Sequence, residues 1–223
     1  MATTNRPNIV LIMTDQQFAG AMSCAGNADL YTPSMDRLAS MGVRFPNAYC
    51  SYPLCTPSRA SLFTGRMPHE VGVNDNNDAI RDEFRTQELG HLLSSAGYEC
   101  LYAGKWHVPE IAMPSGHGFR TICGFDDTAL PDRIAEHMKQ RSTDAPFFLV
   151  ASFDNPHNIC EWRREQNVPW GEIGDPPAPE ECPSLPANFA LPPYEPEIIR
   201  TTTRQNAKVY PDDRYTPDQW RRY

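Results

Sequence analysis

Asn8-Ile9-Val10-Leu11-Ile12-Met13, followed by Thr14-Asp15-Gln16, is a short apolar run that ends on polar residues. A run that is apolar throughout, rather than alternating, predicts a parallel strand buried on both faces. Two later segments read the same way. Tyr98-Glu99-Cys100-Leu101-Tyr102-Ala103 leads into Gly104-Lys105-Trp106-His107, and Phe147 to Phe153 leads into Asp154-Asn155-Pro156-His157. Helices fall between the strands. Thr32-Pro33 offers a cap followed by proline, Met35, Leu38 and Ala39 form an apolar stripe, and Gly42 is a stop. Thr86 caps a second segment carrying Leu89, Leu92 and Leu93 on one face, and residues 132–141 make a third. This order predicts an α/β fold, a mostly parallel or mixed sheet with helices on both faces. In such sheets ligands bind beyond the carboxyl ends of the strands, so the polar residues after each strand converge at one edge. They are Asp15 and Gln16, Lys105 and His107, and Asp154, Asn155 and His157.

Composition narrows the function classes. The chain has 223 residues, a formal charge of −8 and a pI near 5.2, so it lacks the basic footprint of a nucleic-acid binder. Mean hydropathy is −0.55 and Ile9–Met13 is too short for a membrane span or the core of a signal peptide. The sequence as written therefore predicts a soluble, cytoplasmic chain with no membrane partner, or a periplasmic or secreted one if a leader has been removed. Seven cysteines contain no C-x-x-C pair, so reduced thiols are expected rather than a zinc ribbon or redox couple. Residues 1–161 carry the strand-helix pattern. Residues 162–223 are a proline-rich irregular excursion of the same domain, with nine of the 22 prolines between Pro169 and Pro196.

Chemistry concentrates in Cys55-Thr56-Pro57-Ser58-Arg59-Ala60-Ser61-Leu62-Phe63-Thr64-Gly65-Arg66. Pro57 suits a first helical turn, which puts Cys55 at or just before a helix N-terminus. Backbone N–H groups and the helix dipole there stabilise anions and lower a thiol pKa, and Arg59 lies one turn on. A buried structural cysteine before an ordinary helix explains the pair equally well. A cysteine phosphatase needs a longer loop between thiolate and arginine, and Ser61 stands where that arginine should be.

The full stretch resembles the signature of the sulfatases of the alkaline-phosphatase superfamily, Cys-x-Pro-Ser-Arg followed by Thr-Gly-Arg. Asn8-Ile9-Val10 leading to Asp15 is similar to the family's first metal-binding strand, Gly104-Lys105-Trp106-His107 to its Gly-Lys-Trp-His element, and Ser152 to His157 to its later Pro-His element. The resemblance covers roughly residues 5 to 160. It implies an alkaline-phosphatase-like catalytic domain that hydrolyses sulfate esters, of a sulfated small molecule or glycan, to alcohol and sulfate. It also implies that Cys55 is converted to formylglycine by a formylglycine-generating or sulfatase-maturating enzyme. Asp15 would bind a divalent cation, most readily Ca2+, together with the converted Cys55. Arg59 would hold the formylglycine, Lys105 would pair with a sulfate oxygen, His107 would orient or assist the diol, and His157 would contact the sulfate or the leaving oxygen.

Two departures qualify the resemblance. Many relatives have a second aspartate where Gln16 stands, although a glutamine oxygen still ligates a hard cation. The family also draws a further Asp with Asn or His, and another lysine, from a later segment that finds no match here. Asp212-Asp213 reads as an exposed turn. The resemblance thus implies a C-terminally incomplete domain whose own activity is doubtful. The alternatives are a phosphonate or phosphodiester hydrolase of the same superfamily and an inactive fragment that only binds anions. His69, His91, His117 and His137 read as packing or surface residues, and Asn74, Asn76 and Asn77 as a polar loop that meets either substrate or solvent.

Overall fold

The computed structural model describes residues 6–108, 114–169, 174–206 and 215–222. Asp212 and Asp213 lie outside them. The chain divides into two compact units, Met1–Ala19 with Leu38–His157, and Gly20–Arg37 with Asn158–Tyr223.

The first unit is built on a wholly parallel sheet. Its strands are β1 (Ile9–Asp15), β2 (Glu99–Gly104), β3 (Arg120–Cys123) and β4 (Phe147–Pro156), in the order β1-β4-β2-β3. Strand β3 is short and carries no apolar run, which is why the sequence did not show it. The fold class read from the sequence therefore stands, and its helices do lie on both faces. Helices α2 (Cys55–Thr64) and α4 (Leu89–Ser95) supply Ala60, Phe63, Leu89 and Leu93 to a cluster with Cys100, Tyr102, Phe148 and Val150. Helix α5 (Leu130–Gln140) puts Leu130 and Ile134 against Ala103 and Ala151. Alternate residues of β2 and β4 thus face opposite layers, as the period of two requires.

Two local expectations are corrected. Thr86 caps no helix: it closes the short α3 (Asp82–Arg85), and Glu88 precedes α4 instead. Strand β1 is not buried on both faces. It lies at the sheet edge, and Ile9, Val10 and Ile12 are exposed. An apolar run reports that a strand can be covered, not that these residues cover it.

The second unit is irregular through much of its proline-rich stretch, but not throughout. It includes α6 (Ile159–Arg163), α7 (Glu197–Asn206) and α8 (Pro217–Arg222). Helix α7 lies just after the last proline of that stretch, so its pattern was obscured by its neighbours. The Arg163 guanidinium stacks over Tyr215 and Trp220, at 3.6 and 4.9 Å from the ring centroids. Helix α1 (Pro33–Met41) starts at the expected Thr32-Pro33 boundary. No helix among the described residues is long and apolar enough to cross a membrane.

Candidate active site

Cys55 is the first residue of α2, as the position of Pro57 required. The helix N-terminus is held from outside its own sequence. Leu54 at the cap position offers no side-chain oxygen, and Asn76 Oδ1 accepts the Thr56 N–H at 3.1 Å instead. The Thr56 hydroxyl also donates to the His107 carbonyl at 2.8 Å. Asn76 in the polar loop and fully buried Thr56 therefore tie the helix that begins at Cys55 to the segment after β2. Neither role was visible in the sequence, because it depends on a contact between distant loops.

Arg59 is the hub of the site. Its Nη2 donates to Asp15 Oδ2 at 3.0 Å, and its Nη1 to the Lys105 carbonyl at 2.8 Å and Ser152 Oγ at 2.9 Å. One buried guanidinium thereby joins α2 to β1, β4 and the residues after β2. Tyr102 supports it by donating to the same Lys105 carbonyl at 2.7 Å.

The segment after β2 departs from the expected geometry. The strand ends at Gly104, whose φ is +95° and whose Cα would, with a side chain, drive a carbon to 2.0 Å from the Ser152 carbonyl oxygen. Only glycine permits that turn and approach. Lys105 then turns inward, its N–H donating to Ser152 O at 2.9 Å and its ammonium lying 2.8 Å from both Asp15 Oδ2 and Asp154 Oδ1. His107 has a left-handed φ of 51° and is exposed. Strand alternation therefore does not set the directions of Lys105 and His107. The charges of Lys105, Arg59, Asp15 and His157 nevertheless act on the His107 imidazole.

His157 follows β4 and donates its backbone N–H to the carbonyls of Asp15 and Asp154, at 3.2 and 2.9 Å. Asp127 fixes that strand end, accepting from the backbone N–H of Asp154 at 2.9 Å and of Asn155 at 2.6 Å. Ligand atoms of Asp15, Cys55 and His157 all lie within 4.8 Å of one another. Gln16 follows β1 with a left-handed φ of 61° and an exposed side chain. Cys55, Arg59, Asp15, Lys105 and His157 are thus gathered at one place, with His107 and Gln16 at its border. The other histidines are elsewhere. His117 is buried against Glu88, with Nδ1 2.7 Å from Oε2, and His69 is exposed.

Electrostatics correct one expectation outright. Burial raises the Cys55 thiol above its usual value, and the Asp15 carboxylate adds to this, outweighing Lys105 and Arg59. Asp15 Oδ1 lies 3.7 Å from Sγ and accepts its proton. Cys55 is therefore no activated thiolate, and a cysteine-phosphatase chemistry is unsupported. Burial would raise the Asp15 carboxyl as well, but Lys105 and Arg59 hold it below its usual value. Burial would lower the Lys105 ammonium, but Asp15 and Asp154 hold it above its usual value. Partial loss of solvent around the imidazole, with the Lys105 and Arg59 charges, lowers His107 and favours its neutral form. The result is an ionised carboxylate and a charged ammonium around a neutral sulfur atom.

Known proteins resemble this chain in sequence and in fold. The sulfatase family matches over residues 7–191. The chain belongs to the sulfatase family. An N-acetylglucosamine-6-O-sulfatase of Bacteroides thetaiotaomicron is 43% identical over 178 residues, which are 69% of this chain and 31% of the relative. A Delta 4,5-hexuronate-2-O-sulfatase of the same organism is 33% identical over 204 residues, 82% of this chain and 40% of the relative. The solved structure of a 2-O GAG sulfatase superposes with a TM-score of 0.79 at 26% identity, covering 97% of this chain and 49% of that one. This sulfatase chain spans between 31% and 49% of the length of these relatives.

Proposed function

We propose that the protein hydrolyses sulfate esters of sugars, with Cys55 acting after its conversion to formylglycine. The observation that carries this reading is the seat of Cys55 at the N-terminus of α2, beside Asp15, Arg59, Lys105 and His157. In the converted protein the Sγ position stands for an oxygen of the hydrated aldehyde. The diol offers what a thiol cannot, a second hydroxyl whose deprotonation expels sulfate and restores the aldehyde.

One diol hydroxyl gives its proton to the Asp15 carboxylate, whose Oδ1 lies 3.7 Å from the Sγ position, and attacks sulfur as the S–O bond to the sugar breaks. His157 gives its proton to the departing alcohol, and Lys105 pairs with the sulfuryl oxygens. The second hydroxyl then loses its proton to neutral His107, the C–O bond to sulfate breaks, and the aldehyde is restored. Arg59 keeps the helix end and the carboxylate in register throughout.

A cation fits the donor set. The Asp15 carboxylate stays ionised and lies within reach of the Cys55 side chain, and Gln16 offers a neutral oxygen. Asp15, Gln16 and the converted Cys55 would hold Ca2+ or another divalent ion, which when bound polarises the diol and the sulfate. The maturation partner is an enzyme that reads Cys55-x-Pro57-Ser58-Arg59.

The relatives support a saccharide substrate, since their names place the sulfate at the 6-position of an amino sugar and the 2-position of a hexuronate. Those names also favour sulfate over the phosphonate or phosphodiester alternative. In the protein as its gene encodes it, replacing Cys55 with Ala should abolish release of sulfate from an activated aryl sulfate. Turnover retained in that variant would exclude the mechanism.

A further inference from the structure

Asp154 is a carboxylate of the site that the mechanism does not use. Its side chain is buried, its Oδ1 lies 2.8 Å from the Lys105 ammonium, and it is absent from the Asp15, Cys55 and His157 donor group among the described residues. Burying a second carboxylate beside an ammonium that already has Asp15 at 2.8 Å carries a desolvation cost that one partner would have spared.

We propose that Asp154 is a specificity-determining residue that sets the charge of the anion the site accepts. The inference rests on the sulfatase reading above. Two buried cations, Arg59 and Lys105, stand against two buried carboxylates, Asp15 and Asp154, and the half-buried His157 adds its Nδ1 3.8 Å from the same Asp154 Oδ1. If Asp15 is committed to a metal, Asp154 becomes the remaining counter-ion of Lys105. The ammonium then donates hydrogen bonds to the ligand while carrying almost no net charge into the site. A sulfate ester bears one negative charge and a phosphate monoester bears two. A clamp neutralised by Asp154 suits the first, because the second charge of a dianion meets the carboxylate. Asp127 holds the Asp154 backbone N–H at 2.9 Å, and the Asp154 carboxylate itself is buried against the Lys105 ammonium.

Benzenesulfonate and benzenephosphonate test this, because they have similar shapes, neither is hydrolysed, and their charges differ at about pH 8. Binding of each is measured by calorimetry to the protein as its gene encodes it, matured and loaded with calcium. Asp154→Asn keeps an oxygen for Lys105 and removes the charge. It should raise the affinity for benzenephosphonate relative to benzenesulfonate by about tenfold, the effect of one charge acting over ~10 Å at an effective dielectric of ~20. Asp154→Glu keeps the charge and should keep the wild-type ratio. Should Asp154→Asn fail to fold, Asp154→Ser makes the same comparison. Equal changes for both ligands would show that Asp154 merely holds Lys105 in place, and would overturn the inference while leaving the sulfatase reading intact. Wild-type protein that binds neither anion would overturn both.

Discussion

Arg59 on α2 reaches Asp15 at the end of β1 with an N–O distance of 3.0 Å, and both side chains are nearly closed to solvent. This contact links the helix that carries the proposed nucleophile to the strand that carries the candidate metal ligand. Removing the guanidinium would take a donor from the buried Asp15 carboxylate, which keeps only Lys105 as a charged partner, from the Lys105 carbonyl, which keeps Tyr102, and from Ser152 Oγ. Arg59→Ala should therefore destabilise the fold by about 3–5 kcal/mol, measured by urea denaturation. Arg59→Lys should recover only part of this, because one ammonium cannot reproduce the planar fork. A loss below about 1 kcal/mol in Arg59→Ala would deny Arg59 its place as the hub.

The same carboxylate sets an acid limit. In metal-free protein Asp15 titrates below its usual value, because Lys105 and Arg59 overcome its burial. Between the folded value and the unfolded one, near ~3.9, the unfolded chain binds more protons, so stability rises with pH there. The Asp15 contribution should be fully present above the unfolded value and disappear as pH falls through the folded one. Denaturation curves recorded down that range should be flatter for Asp15→Asn than for wild type. Parallel acid limbs in the two proteins would contradict the assignment.

How far the sequence spoke depends on the range of the interaction. The runs at β1, β2 and β4 were legible because each is a short, mostly apolar segment that ends on polar residues, whether or not both its faces are covered. Cys55 at a helix start was legible because proline restricts φ locally. The inward turn of Lys105 was not, since it depends on Gly104 passing the Ser152 carbonyl. Asp154 was visible only as a polar residue at a strand end, and its partner Lys105 is 49 residues away. The thiol shift misled for the same reason: helix dipole and arginine were local, whereas Asp15 was not.

Asn76 should behave as a cap supplied from outside the helix. Its Oδ1 satisfies the Thr56 N–H, which Leu54 cannot do. Asn76→Ala should cost about 1 kcal/mol in thermal or denaturant unfolding, the size of an ordinary N-cap loss. Asn76→Asp keeps the acceptor and should retain most of the stability. Equal losses in both variants would assign the effect to loop packing.

Strand β1 should make this chain prone to association. It is an edge strand with Ile9, Val10 and Ile12 exposed, a combination that invites pairing with other chains. Light scattering of the 223-residue chain should show concentration-dependent self-association that Val10→Lys reduces. A monodisperse monomer at high concentration would show that the edge is protected.

The conversion of Cys55 is tested most directly by mass spectrometry of the peptide that contains it. The protein should be produced with a sulfatase-maturating enzyme and assayed on an activated aryl sulfate in the same preparation. The proposed mechanism predicts an aldehyde in place of the thiol, with turnover proportional to the converted fraction across preparations. Full turnover from protein in which Cys55 is entirely thiol would contradict it.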